Sequence, residues 1–378
     1  MSDSPPLSEA DRDYMARALR LARKGIYTTM PNPSVGCVLV RDGQIIGEGF
    51  TSPAGGPHGE INALNVAGDA TGATAYVTLE PCAHYGRTPP CAEALVKAGI
   101  RRVVAAMRDP NPRVNGGGFE ILERAGIETA SGLMADEARA INAGFFKRME
   151  QGLPLVRCKL AMSLDGRTAM ASGESQWITG SDARADVQQW RARSCAIVTG
   201  VDSIIHDNSS LTVRIDELHI ENPEAAAEKQ PLRVVVDSRL RIPADARILT
   251  LPGKTIVACI APDEPKAQAL AALGVEMLVL PESHGRVDLR ALMAELARRE
   301  CNDVLLETGA TLAGAALAAG VIDELLVYMA PVLMGSDARP LFQLPFTTMA
   351  EKVQLKIDDI CAFGQDWRIT ARPAIRVL

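Results

Sequence analysis

The sequence predicts an α/β protein of two domains, and three observations carry that expectation. The chain has 378 residues, more than one ordinary domain and enough for two cores. Apolar strand-like runs alternate with amphipathic helical segments throughout. Gln151-Gly152-Leu153-Pro154 interrupts this alternation before it starts afresh, so the expected domains are residues 1–151 and 152–378.

In the first half, Asp11 to Lys24 has the spacing of an amphipathic helix with Tyr14, Ala18, Leu19 and Leu21 inward, closed by Gly25. Pro31-Asn32-Pro33-Ser34 is a turn feeding the strand Val35 to Val40. Asp42-Gly43 is a hairpin signal, with Ile45 to Gly49 as the returning strand. A helix after His58 follows, then a strand at Ala75 to Leu79 and a helix from Cys91 closed by Gly99. Thr88 and Pro89 suit the cap and first turn of that last helix. A strand at Arg102 to Met107, a loop from Asp109 to Gly118, a short helix and a helix over 133–149 complete a three-layer α/β unit.

The second half predicts strands at Leu155 to Met162, Ala196 to Thr199, Arg233 to Val236, Thr255 to Cys259, Val275 to Leu280, Val304 to Glu307 and Glu324 to Met329. The main helices are expected at Ser181 to Arg193 and Leu289 to Arg299. Asp216 to Gln230 is acidic and weakly patterned, and is expected to be an exposed excursion.

Composition narrows the function classes. A net charge of -6 and a pI near 5.6 argue against broad electrostatic binding to nucleic acid. Met1 to Asp11 lacks an apolar signal core and no apolar run reaches membrane-spanning length, so a soluble cytoplasmic protein without a membrane partner is expected. The eight cysteines show no disulfide-scaffold spacing. Cys37, Cys158, Cys195 and Cys259 lie in apolar runs and are expected to be reduced core residues.

Cys82 and Cys91 stand apart, because they share the stretch from Pro57 to Cys91 with His58 and Glu60. One imidazole and two thiolates make three zinc ligands, and a fourth position left open for water marks a catalytic site. Zinc deaminases carry His-x-Glu followed by Pro-Cys-x-x-Cys, the Glu moving protons without binding metal. Here eight residues separate the cysteines. The spacing remains workable if His58 and Cys91 each begin a helix, where negative charge is favoured and thiols ionise more easily. In that chemistry an acidified water attacks an amidine-like carbon, while Glu60 carries its proton to the leaving amine. A structural site completed by His84 is the bland alternative.

In the second half, Leu306-Glu307-Thr308-Gly309-Ala310-Thr311-Leu312-Ala313-Gly314 joins a strand to a helix through a glycine turn. Such a turn can receive a diphosphate on backbone N–H groups, although it is more often only a turn.

These segments together resemble the bifunctional riboflavin-biosynthesis family, in which a pyrimidine deaminase is fused to a pyrimidine reductase. Thr29 to Val38, Pro57-His58-Gly59-Glu60, the loop from Pro81 to Cys91 and Asp109-Pro110-Asn111-Pro112 are similar to its deaminase half. Lys159 to Gly166, Gln176 to Gly180 and the Glu307 to Gly314 turn are similar to its reductase half. The long cysteine spacing is a feature of this family. Thr51 stands where the family often has His, and Gly59 where it often has Ala.

The resemblance implies a cytidine-deaminase-like first domain and a dihydrofolate-reductase-like second domain, with Zn2+ and NADPH as cofactors. Zinc-dependent removal of the 2-amino group of a 2,5-diamino-6-ribosylamino-pyrimidinone 5'-phosphate would precede reduction of its ribosyl group to ribityl. His58, Cys82 and Cys91 would hold the metal, Glu60 would be catalytic, and Asn32, His84 and Arg87 would contact the phosphorylated aminopyrimidine. In the reductase, Ser175, Arg191, Leu211, Arg214 and Glu307 correspond to substrate positions. Ala161, Trp177, Ser203, Asp207, Ser238, Gly309, Ala310, Thr311 and Leu312 correspond to cofactor positions. A homo-oligomer is expected, and no nucleic-acid partner. The rival expectations are a deaminase acting on a nucleobase in RNA with the second domain serving binding, a protein using zinc only to fold, and a chain in which one half has lost its activity.

Overall fold

A computed structural model describes residues 7–83, 85, 89–112 and 114–374. His84, Arg87 and Thr88, singled out above, lie outside the described residues. The chain divides into two units, Met1–Gly152 and Leu153–Leu378.

The first unit runs α1 (Glu9–Lys24), β1 (Gly36–Arg41), β2 (Gln44–Phe50), α2 (Gly59–Ala67), β3 (Thr74–Val77), α3 (Cys91–Lys97), β4 (Arg102–Ala105), α4 (Gly117–Arg124), β5 (Glu128–Ser131), α5 (Ala135–Ile141) and α6 (Ala143–Gln151). Its sheet has the order β2-β1-β3-β4-β5. Strand β1 is antiparallel to both neighbours, while β3, β4 and β5 are parallel. Alternation along the strands sends Cys37, Leu39, Ala75 and Val77 to one face, against Ala63, Leu95 and Leu122 of α2, α3 and α4. Val38, Val40, Tyr76 and Val104 face the other way, onto Met15 and Ala18 of α1 and Ala138 of α5. The expected three layers result.

Local chemistry accounts for the boundaries. Ser8 and Asp11 form a capping box that starts α1 two residues before the sequence pattern suggests. Asp42 and Gly43 both have left-handed φ, of 52° and 76°, the pair a tight hairpin turn needs. Helix α3 begins after Pro90 as its N-cap, so Pro89 precedes the helix instead of lying in its first turn. The single helix expected over 133–149 is two helices. They break at Asn142, whose side-chain amide accepts from Ser34 N–H at 2.8 Å and donates to Ser34 C=O at 2.9 Å. Strand β5, polar and four residues long, carries no periodicity that would have announced it.

The second unit continues with β6 (Leu155–Ser163), β7 (Arg167–Ala169), α7 (Ser181–Arg193), β8 (Ala196–Gly200), α8 (Val201–Asp207), α9 (Pro223–Glu228), β9 (Leu232–Val236), β10 (Thr255–Cys259), α10 (Glu264–Ala272), β11 (Glu276–Val279), β12 (Glu282–Ser283), β13 (Arg286–Val287), α11 (Leu289–Arg298), β14 (Asp303–Glu307), α12 (Ala310–Ala318), β15 (Glu324–Ala330), β16 (Arg339–Pro340), β17 (Leu355–Phe363) and β18 (Asp366–Pro373). Nine strands form one sheet in the order β11-β10-β9-β8-β14-β6-β15-β18-β17. Its first seven strands are parallel and the last two antiparallel. Helices α11 and α12 cover one face; α7, α8 and α10 cover the other. The stretch from Asp216 to Gln230 is not a bare excursion. It contains α9, buries Leu218 and Ala226, and is tied down by Gln230, whose side chain bonds both N–H and C=O of Val213.

Helix α1 lies on β1 at backbone distance, because a Cβ added at Gly36 would sit 2.0 Å from Ala18 O. Gly36→Ala therefore forces helix and strand apart. The unfolding free energy of the first unit is expected to fall by about 1–3 kcal/mol, as for other overpacked cores; a lowered denaturant midpoint by circular dichroism checks this.

Candidate active sites

In the first unit two helix starts meet a strand end. His58 is the N-cap of α2 and Cys91 the first residue of α3. Cys82 follows β3 by a short turn. His58 Nδ1 lies 3.6 Å from Cys82 Sγ and 3.3 Å from Cys91 Sγ, and Cys91 N–H donates to Cys82 Sγ at 3.3 Å. All three ligand-type atoms fall within 4.8 Å of one another. An imidazole and two thiols so gathered fit the donor set of a zinc ion with a position to spare.

The electrostatics agree with that donor set. A hydrogen bond from Cys91, opposed by burial and helped by His58, lowers Cys82 and so favours its thiolate form. The same hydrogen bond, burial and the charge of Glu60 push Cys91 upward. His58 is raised by its hydrogen bond to Cys82, against burial. Glu60, in the first turn of α2 and buried, is raised to about 7, first by burial and then by the Cys82 charge.

Asn32 sits in the turn before β1, its N–H bonded to Thr29 O at 3.0 Å. Thr51 is buried and grips Val35 twice, accepting from its N–H at 3.0 Å and donating to its C=O at 3.2 Å. A Cβ at Gly59 would lie 2.6 Å from Val35 O, so this glycine admits the start of α2 close against the strand. Asp109 escaped the sequence reading as a single residue. It is buried and raised to about 6, first by burial, with Glu80 and Cys82 adding to the rise and an Asn111 backbone bond opposing it.

In the second unit Ala161, Ser203, Ser238, Glu307 and Gly309 lie at or just after the carboxyl ends of β6, β8, β9 and β14, the side on which open α/β sheets bind ligands. Glu307 ends β14 opposite Lys159 of β6. Arg191 of α7 forms a two-pronged ion pair with Glu307, at 2.6 and 2.8 Å, and donates to Thr212 O at 3.0 Å. Lys159, partly buried, lies beside both. Burial lowers it, against the attraction of Glu307. The signal for Lys159 was available as one of two cations, with Arg157, inside an otherwise apolar strand. Ser175 Oγ donates to Asp207 Oδ1 at 2.8 Å, which joins the loop before α7 to the end of α8.

Gly309 caps α12, with nothing within 4 Å of where its Cβ would be. Ala310, Thr311 and Leu312 form the first turn of that helix. The Leu312 side chain borders Gly200 at the end of β8. This open backbone fits a diphosphate-bearing cofactor. Ala161 lies in β6 and is partly exposed, as is Ser203 in α8. Trp177 is 68% exposed, with the Arg184 guanidinium 4.7 Å above its ring.

Other side chains are already engaged. Arg214 forms a two-pronged pair with Glu217 at 2.7 Å, Ser238 Oγ accepts from Val287 N–H at 3.0 Å, and Thr311 Oγ1 donates to Gln343 at 2.8 Å. Leu211 is buried with a left-handed φ of 51°. Among the core cysteines, Cys37, Cys158 and Cys259 are fully buried, whereas Cys195 is partly exposed and receives Asn302 N–H at 3.2 Å.

Comparison with known proteins gives both sites a context. Residues 8–107 match the cytidine and deoxycytidylate deaminase zinc-binding region, and residues 154–369 match the RibD C-terminal domain. The Escherichia coli riboflavin biosynthesis protein RibD is 50% identical over 361 residues, 94% of this chain and 97% of that protein. The Haemophilus influenzae protein of the same name is 49% identical over 373 residues, 97% and 98% of the two chains. Among solved structures, Acinetobacter baumannii RibD superposes with a TM-score of 0.90 at 50% identity, covering 97% of this chain and 99% of that one. A Thermotoga maritima diaminohydroxyphosphoribosylaminopyrimidine deaminase/5-amino-6-(5-phosphoribosylamino)uracil reductase gives 0.84 at 29% identity with the same coverage.

Fold and sites define a two-part enzyme, a cytidine-deaminase-like unit followed by a dihydrofolate-reductase-like one. The chain belongs to the RibD family of riboflavin biosynthesis proteins. It is accordingly a bifunctional deaminase and reductase, with Zn2+ and NADPH as its cofactors.

The Arg191–Glu307 pair is nearly buried, at 12% and 9% side-chain exposure. Burial alone would raise Glu307, but the Arg191 charge and hydrogen bond, with Lys159, bring it below the usual 4.5. Its contribution to stability is therefore present above that value and lost as the pH falls through the lowered one. Glu307→Gln strands a buried guanidinium and is expected to cost the second unit about 3 kcal/mol. Tryptophan fluorescence reads this directly, since Trp177, Trp190 and Trp367 all belong to that unit.

Proposed function

We propose that residues 1–151 deaminate a 2,5-diamino-6-ribosylamino-pyrimidinone 5'-phosphate and that residues 152–378 reduce the deaminated product. The observation that carries the first half is the convergence of His58, Cys82 and Cys91 beside the buried carboxyl of Glu60. His58, Cys82 and Cys91 hold the metal. When bound, zinc supplies Lewis acidity, which makes a water acidic enough to act as a nucleophile at neutral pH. Glu60, raised to about 7, takes the proton of the attacking water and delivers it to the departing amine. Asn32 offers an amide to the heterocycle from its turn, with His84 and Arg87 as further substrate contacts.

In the second half, Gly309, Ala310, Thr311 and Leu312 receive the cofactor diphosphate on the start of α12, with Ala161, Trp177, Ser203, Asp207 and Ser238 completing the cofactor site. Ser175, Leu211 and Glu307 orient the substrate, and Arg191 and Arg214 face its phosphate. Arg214 must exchange Glu217 for phosphate to do so. When bound, the nicotinamide would supply a hydride to the sugar C1', whose bond to the ring oxygen is lost as that oxygen takes a proton, so that ribosyl becomes ribityl.

The partners in this reading are phosphorylated aminopyrimidines, with neither nucleic acid nor membrane, in the cytoplasm. No helix among the described residues is long and apolar enough to cross a membrane. A homo-oligomer is part of the reading. Its support is β17, an edge strand of nine residues that leaves Leu355, Ile357 and Ile360 exposed, as edge strands awaiting a partner do. A monomer by light scattering would remove that part.

Glu60→Gln should lower deamination by about 100-fold or more while zinc content and NADPH oxidation on deaminated substrate stay at wild-type level. Zinc lost along with activity would refute the role given to Glu60. Metal uptake should also release protons and weaken as pH falls, because the Cys91 thiol must give one up and the raised His58 holds a proton to higher pH than usual. Calorimetry in buffers of different ionisation enthalpy measures that release.

A further inference from the structure

Two residues before Cys82 stands a carboxylate to which the chemistry above assigns no role. Glu80 is 3% exposed and ends the turn that follows β3. Its Oε2 accepts from the backbone N–H groups of Asp109 at 3.2 Å and Gly116 at 3.1 Å. Its Oε1 accepts from those of Gly118 at 3.0 Å and Phe119 at 3.4 Å. Among the described residues all four donors are backbone amides, and they belong to the loop between β4 and α4 and to the first turn of α4. Three of them are amides that a helix start leaves without intrahelical acceptors. A buried carboxylate is costly unless so satisfied, and a favourable helix end lowers that cost.

The tethered loop is a wall of the metal centre. A Cβ at Gly118 would lie 1.9 Å from Pro81 O, and one at Gly117 would lie 3.1 Å from the Ala83 side chain. The loop therefore rests on the residues either side of Cys82. Asp109, at its start, feels the Cys82 charge. Glu80 N–H in turn donates to Met107 O at 2.9 Å, which joins the metal-ligand turn to the end of β4. One side chain thus sets the spacing between the Cys82 turn and the segment from Asp109 to Phe119.

We infer that Glu80 is a positioning residue of the deaminase, acting through the 109–119 loop to shape the substrate-binding wall beside the metal ligands. The inference rests on the deaminase reading above. It requires neither a proton transfer by Glu80 nor contact with substrate.

The test compares full-length wild type, Glu80→Gln and Glu80→Ala. Glutamine keeps one acceptor oxygen and turns an NH2 group on the other two amides, so it is graded between the parent and alanine. Amide exchange of residues 109–119, measured in metal-free protein, should quicken in the order wild type, Gln, Ala. In zinc-loaded protein KM for the aminopyrimidine phosphate should rise about 10- to 100-fold in the alanine variant, with kcat reduced less, zinc per chain retained and reductase turnover unchanged. Unchanged exchange, or an unchanged KM with activity lost only in proportion to zinc, overturns the inference. If the alanine variant does not fold, the glutamine variant decides by the same two measurements. Failure of zinc-loaded wild type to release ammonia would instead remove the deaminase reading, and the metal-free exchange result would still decide whether Glu80 holds the loop.

Discussion

The meeting of two helix starts at one strand end is the constraint on which the first unit depends. Helix α2 can bring His58 to Cys91 only if it lies almost on the strands beneath it. Glycines at positions 47, 49 and 59 make that possible: a Cβ at any of them would come within 2.3–2.6 Å of the backbone of Ala63 or Val35. Side chains at those sites would push α2 outward. Three weak facts of sequence, a histidine and two cysteines widely spaced, become one donor set through that approach.

The second unit solves a different problem, that of placing charge inside a parallel sheet. Arg157 in β6 is held by Asp303 and Glu324 and covered by the Trp190 ring, with Arg368 and Asp186 adjoining the same indole. Arg191, Glu307 and Lys159 form a second, largely enclosed group beside the end of β14. The first group knits β6, β14, β15 and β18 to α7. The second lies where β14 ends. Charge pairs of the same kind thus sit at different points along the same strands.

Much of this was legible in the residues. The alternation of apolar runs set out both sheets, and His58, Glu60, Cys82 and Cys91 were legible because the chemistry demands those side chains in that order. What stayed hidden depends on contacts between distant segments. Strand β5 is polar except for Ala130, and β17 and β18 carry too little burial for a period to emerge. Asn142 breaks a helix because Ser34, 108 residues away, needs its amide. The engagement of Arg214 with Glu217 and of Ser238 with Val287 likewise follows from tertiary neighbours, which no spacing rule supplies.

That Asn142 clasp also limits how the first half could be separated from the second. The turn before β1, which carries Asn32, is anchored from residues close to the end of α5, and Phe145 and Phe146 beyond it fill the interior under α2, α3 and α4. A gene shortened before residue 142 would discard both the anchor and two aromatic rings of the core. A freestanding version of this half should therefore keep its terminal helix through Gln151.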